Sequence, residues 1–172
     1  MRVYIPTTLA ALQRLVADHR LLVVNGTAFA VTPTLRESYS DGDDDELAEV
    51  ALREAARASL RLLAGGPEPG TDSELPPRRA VVVADTDDVL EVTARPDLDD
   101  AVVRLSGPVP IGAVVAVYVD NGEAEPAVLA AVEVIDEADL GDEDAELTVG
   151  DAQDHDLAWY APQELPFLLE LL

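Results

Sequence analysis

The sequence predicts an α+β or α/β fold: a single domain spanning residues 1–172, with a central mixed sheet of about five or six strands covered by helices. Three observations carry this. Short β-branched runs alternate along the chain with segments of helical period. Turn residues separate them, and 48% of the 172 residues are apolar, which is enough for one buried core.

From the N-terminus, residues 2–6, RVYIP, form a first strand that Pro6 should stop, with Thr7 or Thr8 capping the helix after it. Leu9, Leu12, Leu15 and Val16 recur at helical spacing, so this helix runs to about His19. Gly26 turns the chain after Asn25 into an extended run at 27–32, and Pro33 opens another helix capped by Thr32. The longest helix lies within residues 38–66, and the carboxylates from Asp43 to Glu46 complement the dipole at its N-terminus. Its stripe is Leu47, Ala51, Ala55, Ala58 and Leu62, and Gly65 and Gly66 end it. Residues 67–77 read as an exposed loop.

Extended candidates lie at 79–85, 101–106 and 113–120, the last two joined by GPVPIG as an antiparallel pair. A helix from Pro126 to about Asp136 presents Val128, Leu129, Val132 and Ile135. Residues 136–156 read as an acidic loop, followed by an extended 157–161 and a short terminal helix around Pro166. Two stretches, VYIP to AVTPTL and VYVD to WYAPQEL, echo each other as strand, helix, strand, Pro, helix. Such βαβ units give parallel strand pairs. Only 4% of residues are aromatic, so the core is expected to form around Tyr4, Phe29, Tyr118, Trp159 and Tyr160.

Charge narrows the function classes. All 11 cations are arginines, the last is Arg104, and the residues after it carry 16 of the 35 carboxylates. A net charge of -24 repels phosphate backbones and anionic head groups, so direct nucleic-acid and membrane binding are disfavoured. With no cysteine there is no disulfide, thiol nucleophile or cysteine-ligated metal. The opening residues read as strand plus helix rather than a signal peptide, which makes a cytoplasmic protein the expectation.

Catalytic motifs are not found. From Asp142, the EF-hand spacing would place its turn glycine at Leu147 and its bidentate glutamate at Gln153, so the acidic run is no such loop. The pair His19 and His155 lies far apart in sequence, no G-x-S-x-G occurs, and GGPEPG follows a helix where a phosphate-binding loop would follow a strand. No cofactor or metal is implied. Arg53, Arg57 and Arg61 share one helix face, either paired with Glu49 and acids of the C-terminal part or forming a docking stripe for an acidic partner or a small anion.

RVYIPTTLAAL, AFAVTPTLRE, EVALREAARASLRLL and HDLAWYAPQEL together resemble a family of short, acidic, uncharacterised proteins, a domain of unknown function from high-GC Gram-positive bacteria. The resemblance covers nearly the whole chain and implies one bacterial domain, with no activity attached.

The leading functional expectation is a non-catalytic interaction or regulatory module presenting an acidic surface to a protein partner. The runner-up is a hydrolase or metal-assisted phosphate enzyme using clustered carboxylates, and an acidic nucleic-acid mimic comes third. A ligand rim is expected where parallel strands end and helices begin, at Thr7, Thr8, Thr32, Thr34, Asn121, Tyr160 and Gln163.

Overall fold

A computed structural model describes residues 1–39, 41–66 and 75–172. The fold is α+β, one domain built on a seven-stranded sheet in the order β5-β6-β3-β1-β4-β8-β9, where β1 is Arg2–Thr7, β3 Thr27–Phe29, β4 Ala80–Asp85, β5 Val92–Ala94, β6 Val102–Leu105, β8 Val114–Val119 and β9 Ala158–Tyr160. A separate pair joins β2, Arg20–Leu21, to β7, Val109–Pro110. The helices are α1 (Leu9–Asp18), α2 (Pro33–Ser38), α3 (Asp44–Ala64), α4 (Glu125–Asp139), α5 (Glu143–Gln153) and α6 (Leu165–Glu170).

Every strand pair is antiparallel, which corrects the expected mixed sheet. The expected βαβ echo fails for a geometric reason. After β1, α1 brings the chain back along the sheet, and residues 20–26 then carry it forward again, so β3 enters from the far end and runs against β1. This return includes the short strand β2 and a 3-10 turn at Val24–Gly26. At the end of that return Gly26 has φ +68°, and a Cβ there would sit 2.7 Å from the Leu105 carbonyl oxygen, so only glycine fits.

The second half reverses direction by another route. Residues 142–153, expected as part of an acidic loop, are the cap and body of α5, and α4 and α5 form an αα-hairpin around Gly141 (φ +97°). Two helices in succession return the chain to the end of β8 from which it left, so β9 must run antiparallel to β8. Asp142 caps α5 by accepting from the Ala145 amide at 2.9 Å, and only the small side chains Ala145, Val149 and Ala152 are buried.

The GPVPIG segment does not pair its flanking strands. It forms β7 and a 3-10 turn, while β6 joins β3 and β5, and β8 joins β4 and β9. Pro6 does not stop β1, because it pairs with Val81 and the strand reaches Thr7. Of the loop expected at 67–77, residues 67–74 lie outside the described residues, and Leu75, Pro76 and Pro77 are half-buried rather than exposed.

Alternation along the strands divides the core. Val3, Ile5, Val82, Val117 and Val119 face α1 and α6 through Leu9, Leu12, Leu15, Leu165 and Leu168. Tyr4, Phe29, Val81, Val83 and Ala116 face α2 and α3 through Leu35, Leu47, Ala51 and Ala55. A third cluster, with Leu60, Val128, Ala131, Ile135 and Val149, seats the α4–α5 hairpin on the C-terminal half of α3. Ala58 and Leu62 of the expected α3 stripe are only half-buried. The helix instead buries Ala56, Ser59 and Leu60, because its second half turns toward α4. In α4, Leu129 is exposed and Ala131 and Ala138 take the inward positions. Trp159, expected in the core, is 56% exposed: it lies opposite Tyr118 on the edge strand β9.

Candidate functional site

The expected rim falls on two opposite edges of the sheet. Strand β8 runs in the same direction as β1, since each is antiparallel to β4, so Thr7 and Asn121 follow strand ends on one edge. Strands β3 and β9 run the other way, so Thr32, Thr34 and Gln163 belong to the opposite edge, with Tyr160 at the end of β9 half-buried against Val117's side of the sheet. Parallel strands would have gathered these groups. An antiparallel sheet separates them.

Two of the rim threonines are occupied by capping. Thr8 caps α1, its Oγ1 accepting from the Ala11 amide at 3.2 Å. Thr32 caps α2, accepting from the Leu35 amide at 3.0 Å while its hydroxyl donates to the Asp100 carbonyl. Thr34 offers its carbonyl to the Ser38 hydroxyl at 3.1 Å. Asn121 precedes a 3-10 turn without a side-chain cap, and Gln163 lies exposed in another.

The arginine face of α3 is turned onto the helical hairpin. Arg57 donates to Glu146 at 2.7 and 3.2 Å and to Asp139 at 3.1 Å, and Arg61 grips Asp139 at 2.7 and 2.9 Å. Arg53 donates to the Gln153 carbonyl at 3.3 Å, and the Gln153 amide returns a bond to the Arg53 carbonyl at 3.1 Å. Arg57 and Arg61 thus pair with acids of the C-terminal part, while the exposed Arg53 meets a backbone carbonyl. Hydrogen bonding from Arg61, with Arg57 second, holds the Asp139 carboxyl below its ordinary range; Arg57 does the same to Glu146.

Below them lies a buried ion pair that the charge pattern did not reveal. Arg79, at the start of β4, donates through Nε and Nη2 to the two Asp120 oxygens at 2.9 and 2.8 Å, and its amide bonds the same carboxylate at 2.8 Å. Its remaining donors go to Gln153 Oε1 at 2.7 Å and the His155 carbonyl at 2.9 Å. Above this pair a recess of about 130 Å³ is lined by Glu49, Arg53, Gln153, His155 and Asp156 among others. Among the described residues its lining holds no serine, threonine, tyrosine, lysine or cysteine. Among the described residues no three histidine or acidic side chains converge to hold a metal ion, and no helix is long and apolar enough to cross a membrane.

Two surfaces stand out that the sequence patterns did not single out. On the α4–α5 hairpin Leu140 is 89% and Leu147 70% exposed, within a run of carboxylates that includes Glu137, Glu143, Asp144 and Asp151. Nearer the N-terminal end of α4, Leu129 and Val132 face a cleft of about 260 Å³ that also meets Thr7, Thr8, Leu22 and Leu62. Leu140 and Leu147 stand off the buried stripes of their helices, whereas Leu129 and Val132 lie on a helical stripe that the fold leaves partly open.

No curated protein and no solved structure is detectably similar to this chain. A family model does match it over residues 1–169, and the chain therefore belongs to DUF6912, a family of unknown function.

Proposed function

We propose that this is a non-catalytic, cytoplasmic interaction module that presents the α4–α5 hairpin to a basic protein partner. The observation that supports the reading is Leu147, 70% exposed on α5 with Glu143 and Asp151 one turn to either side and Asp144 beside it. An apolar side chain standing in a field of carboxylates suits a partner with an apolar recess rimmed by arginine or lysine. Buried apolar contact then supplies affinity, and the charge supplies steering and orientation. Arg57 and Arg61 support this surface from beneath, since their bonds to Asp139 tie the end of α4 to α3 and the Arg57 bond to Glu146 ties α5 to it.

The test begins with affinity capture from extract of the source cell, comparing the wild type with a Leu140→Ser, Leu147→Ser double variant. The captured partner is then titrated into isotope-labelled protein. Amide shift changes confined to residues 137–151, weakened by salt and lost in the double variant, support the proposal. Changes centred on the Arg79 recess or on β5 overturn it.

A further inference from the structure

We infer that β5 is the contact edge of a weak symmetric dimer, in which two copies of this chain join their sheets through antiparallel β5–β5 pairing. The bonds that flank the strand show which of its backbone groups are free to pair. The Arg95 amide donates to the Val102 carbonyl at 2.8 Å and the Ser106 amide donates to the Glu91 carbonyl at 3.0 Å, and both continue the register that sets Val92 opposite Leu105 and Ala94 opposite Val103. Backbone groups alternate in direction along an antiparallel ladder, so Glu91, Thr93 and Arg95 point theirs at β6. Val92 and Ala94 therefore turn amide and carbonyl away from the sheet, where they meet no partner among the described residues. Thr93 and Ala94 are exposed, and the strand contains no proline, charge or bulge to blunt its edge. Gly66 and Leu75, on either side of residues 67–74, stand with Thr7 beside the end of β1, three strand positions from β5.

Charge selects a second copy as the occupant. A twofold axis at Thr93 sets Val92 opposite Ala94 of the other chain, where the two exchange their outward bonds, and it sets Glu91 opposite Arg95 of the other chain. Residues 89–95 hold one glutamate and one arginine, a neutral strip in a chain of net charge -24. Arg104, across from Thr93 on β6, adds a cation near the axis. In the single chain Arg95 is held by Asp97 at 2.9 and 2.8 Å, an exposed pair that a second carboxylate can share. Asp88 and Asp97 beyond the strip, with the overall negative charge, keep the association weak. The opposite edge of the sheet offers less. The Asp120 amide bonds the Arg79 carbonyl at 3.1 Å, so by the same alternation Val117 and Val119 face β9, and Trp159 alone in that strand faces outward. Beside it the Ala161 amide is taken by Glu164 Oε1 at 3.1 Å and the Ala161 carbonyl by the Glu164 amide at 2.9 Å. The closed β5–β5 contact is thereby favoured over a β5–β9 contact, which would grow an open filament.

The experiment is sedimentation equilibrium of the whole chain from about 10 μM to about 1 mM in about 150 mM salt. The mass is expected to rise from 18.3 kDa toward about twice that value. Ala94→Pro removes an outward amide while leaving the β6 ladder intact, and it should hold the chain monomeric. Glu91→Arg and Arg95→Glu each set like charges across the axis and should weaken self-association about tenfold. Mixed in equal amounts, these two variants should pair with each other as tightly as the wild type pairs with itself, because both cross-chain contacts are then opposite in sign. A monomer at every concentration, a dimer undiminished by Ala94→Pro, or no pairing in the mixture overturns the inference.

Discussion

Arg79 and Asp120 form a fully buried ion pair at the junction of β4 and the end of β8, with Arg79 also bonded to Gln153 and His155 beyond α5. One guanidinium therefore joins the sheet to the helical hairpin. Taking either charge away strands the other in the interior, so Asp120→Asn or Arg79→Met should cost about 3–5 kcal/mol, measured by urea unfolding. The double replacement Arg79→Met, Asp120→Leu should cost less than the sum of the two single changes, because no charge is left unpaired.

Ser59 makes a second connection of the same kind on a smaller scale. Its hydroxyl donates to the Thr7 carbonyl at 2.8 Å and accepts from the Ala80 amide at 3.1 Å, which closes the ends of β1 and β4 onto α3. Ser59→Ala leaves two buried backbone groups unmatched and should destabilise by about 1–3 kcal/mol, visible as a lower denaturant midpoint with an unchanged slope.

Burial raises the Glu54 carboxyl, the reverse of what Arg61 does to Asp139. The signs predict opposite pH effects. Asp139, and Asp85 bonded to Arg2, titrate below their unfolded value, so their stabilisation is complete above about pH 4 and is lost as pH falls through the lowered folded values. Glu54 titrates above its unfolded value, so its ionised form costs stability at neutral pH and that cost disappears in acid. Glu54→Gln should therefore raise the melting temperature at pH 7 and leave it unchanged below about pH 4, checked by calorimetry across that range.

Trp159 at the sheet edge and Phe29 in the core should respond differently to truncation. Phe29 is buried beneath α2 and α3, so Phe29→Ala should cost about 3–5 kcal/mol. Trp159→Ala should cost well under half of that, and Trp159 emission should be accessible to acrylamide in the native protein. A shielded, blue-shifted emission would contradict the edge placement.

Much of the secondary structure is legible residue by residue. The caps Thr8 and Thr32, the carboxylates at the start of α3, its glycine stop and the β-branched runs of β1, β4, β6 and β8 are local features, set by backbone chemistry within a few residues. Helix α5 is not legible in this way, because its buried side is only Ala145, Val149 and Ala152 and its carboxylates resemble those of a solvated loop. Without that helix the direction of β9 is hidden too, since one more helix reverses the side from which the chain enters the sheet. Parallel strands would group Thr7 and Thr32 on one edge, and the antiparallel sheet puts them on opposite ones.

Periodicity, capping and composition act over short distances, and they suffice for the α+β class and for most element positions. Strand direction, the Arg79–Asp120 pair, the inward turn of Arg57 and Arg61, and the exposure of Leu129, Leu140 and Leu147 emerge only in the folded chain. Those depend on which segments meet across long sequence separations, and neither hydrophobic period nor net charge encodes that meeting.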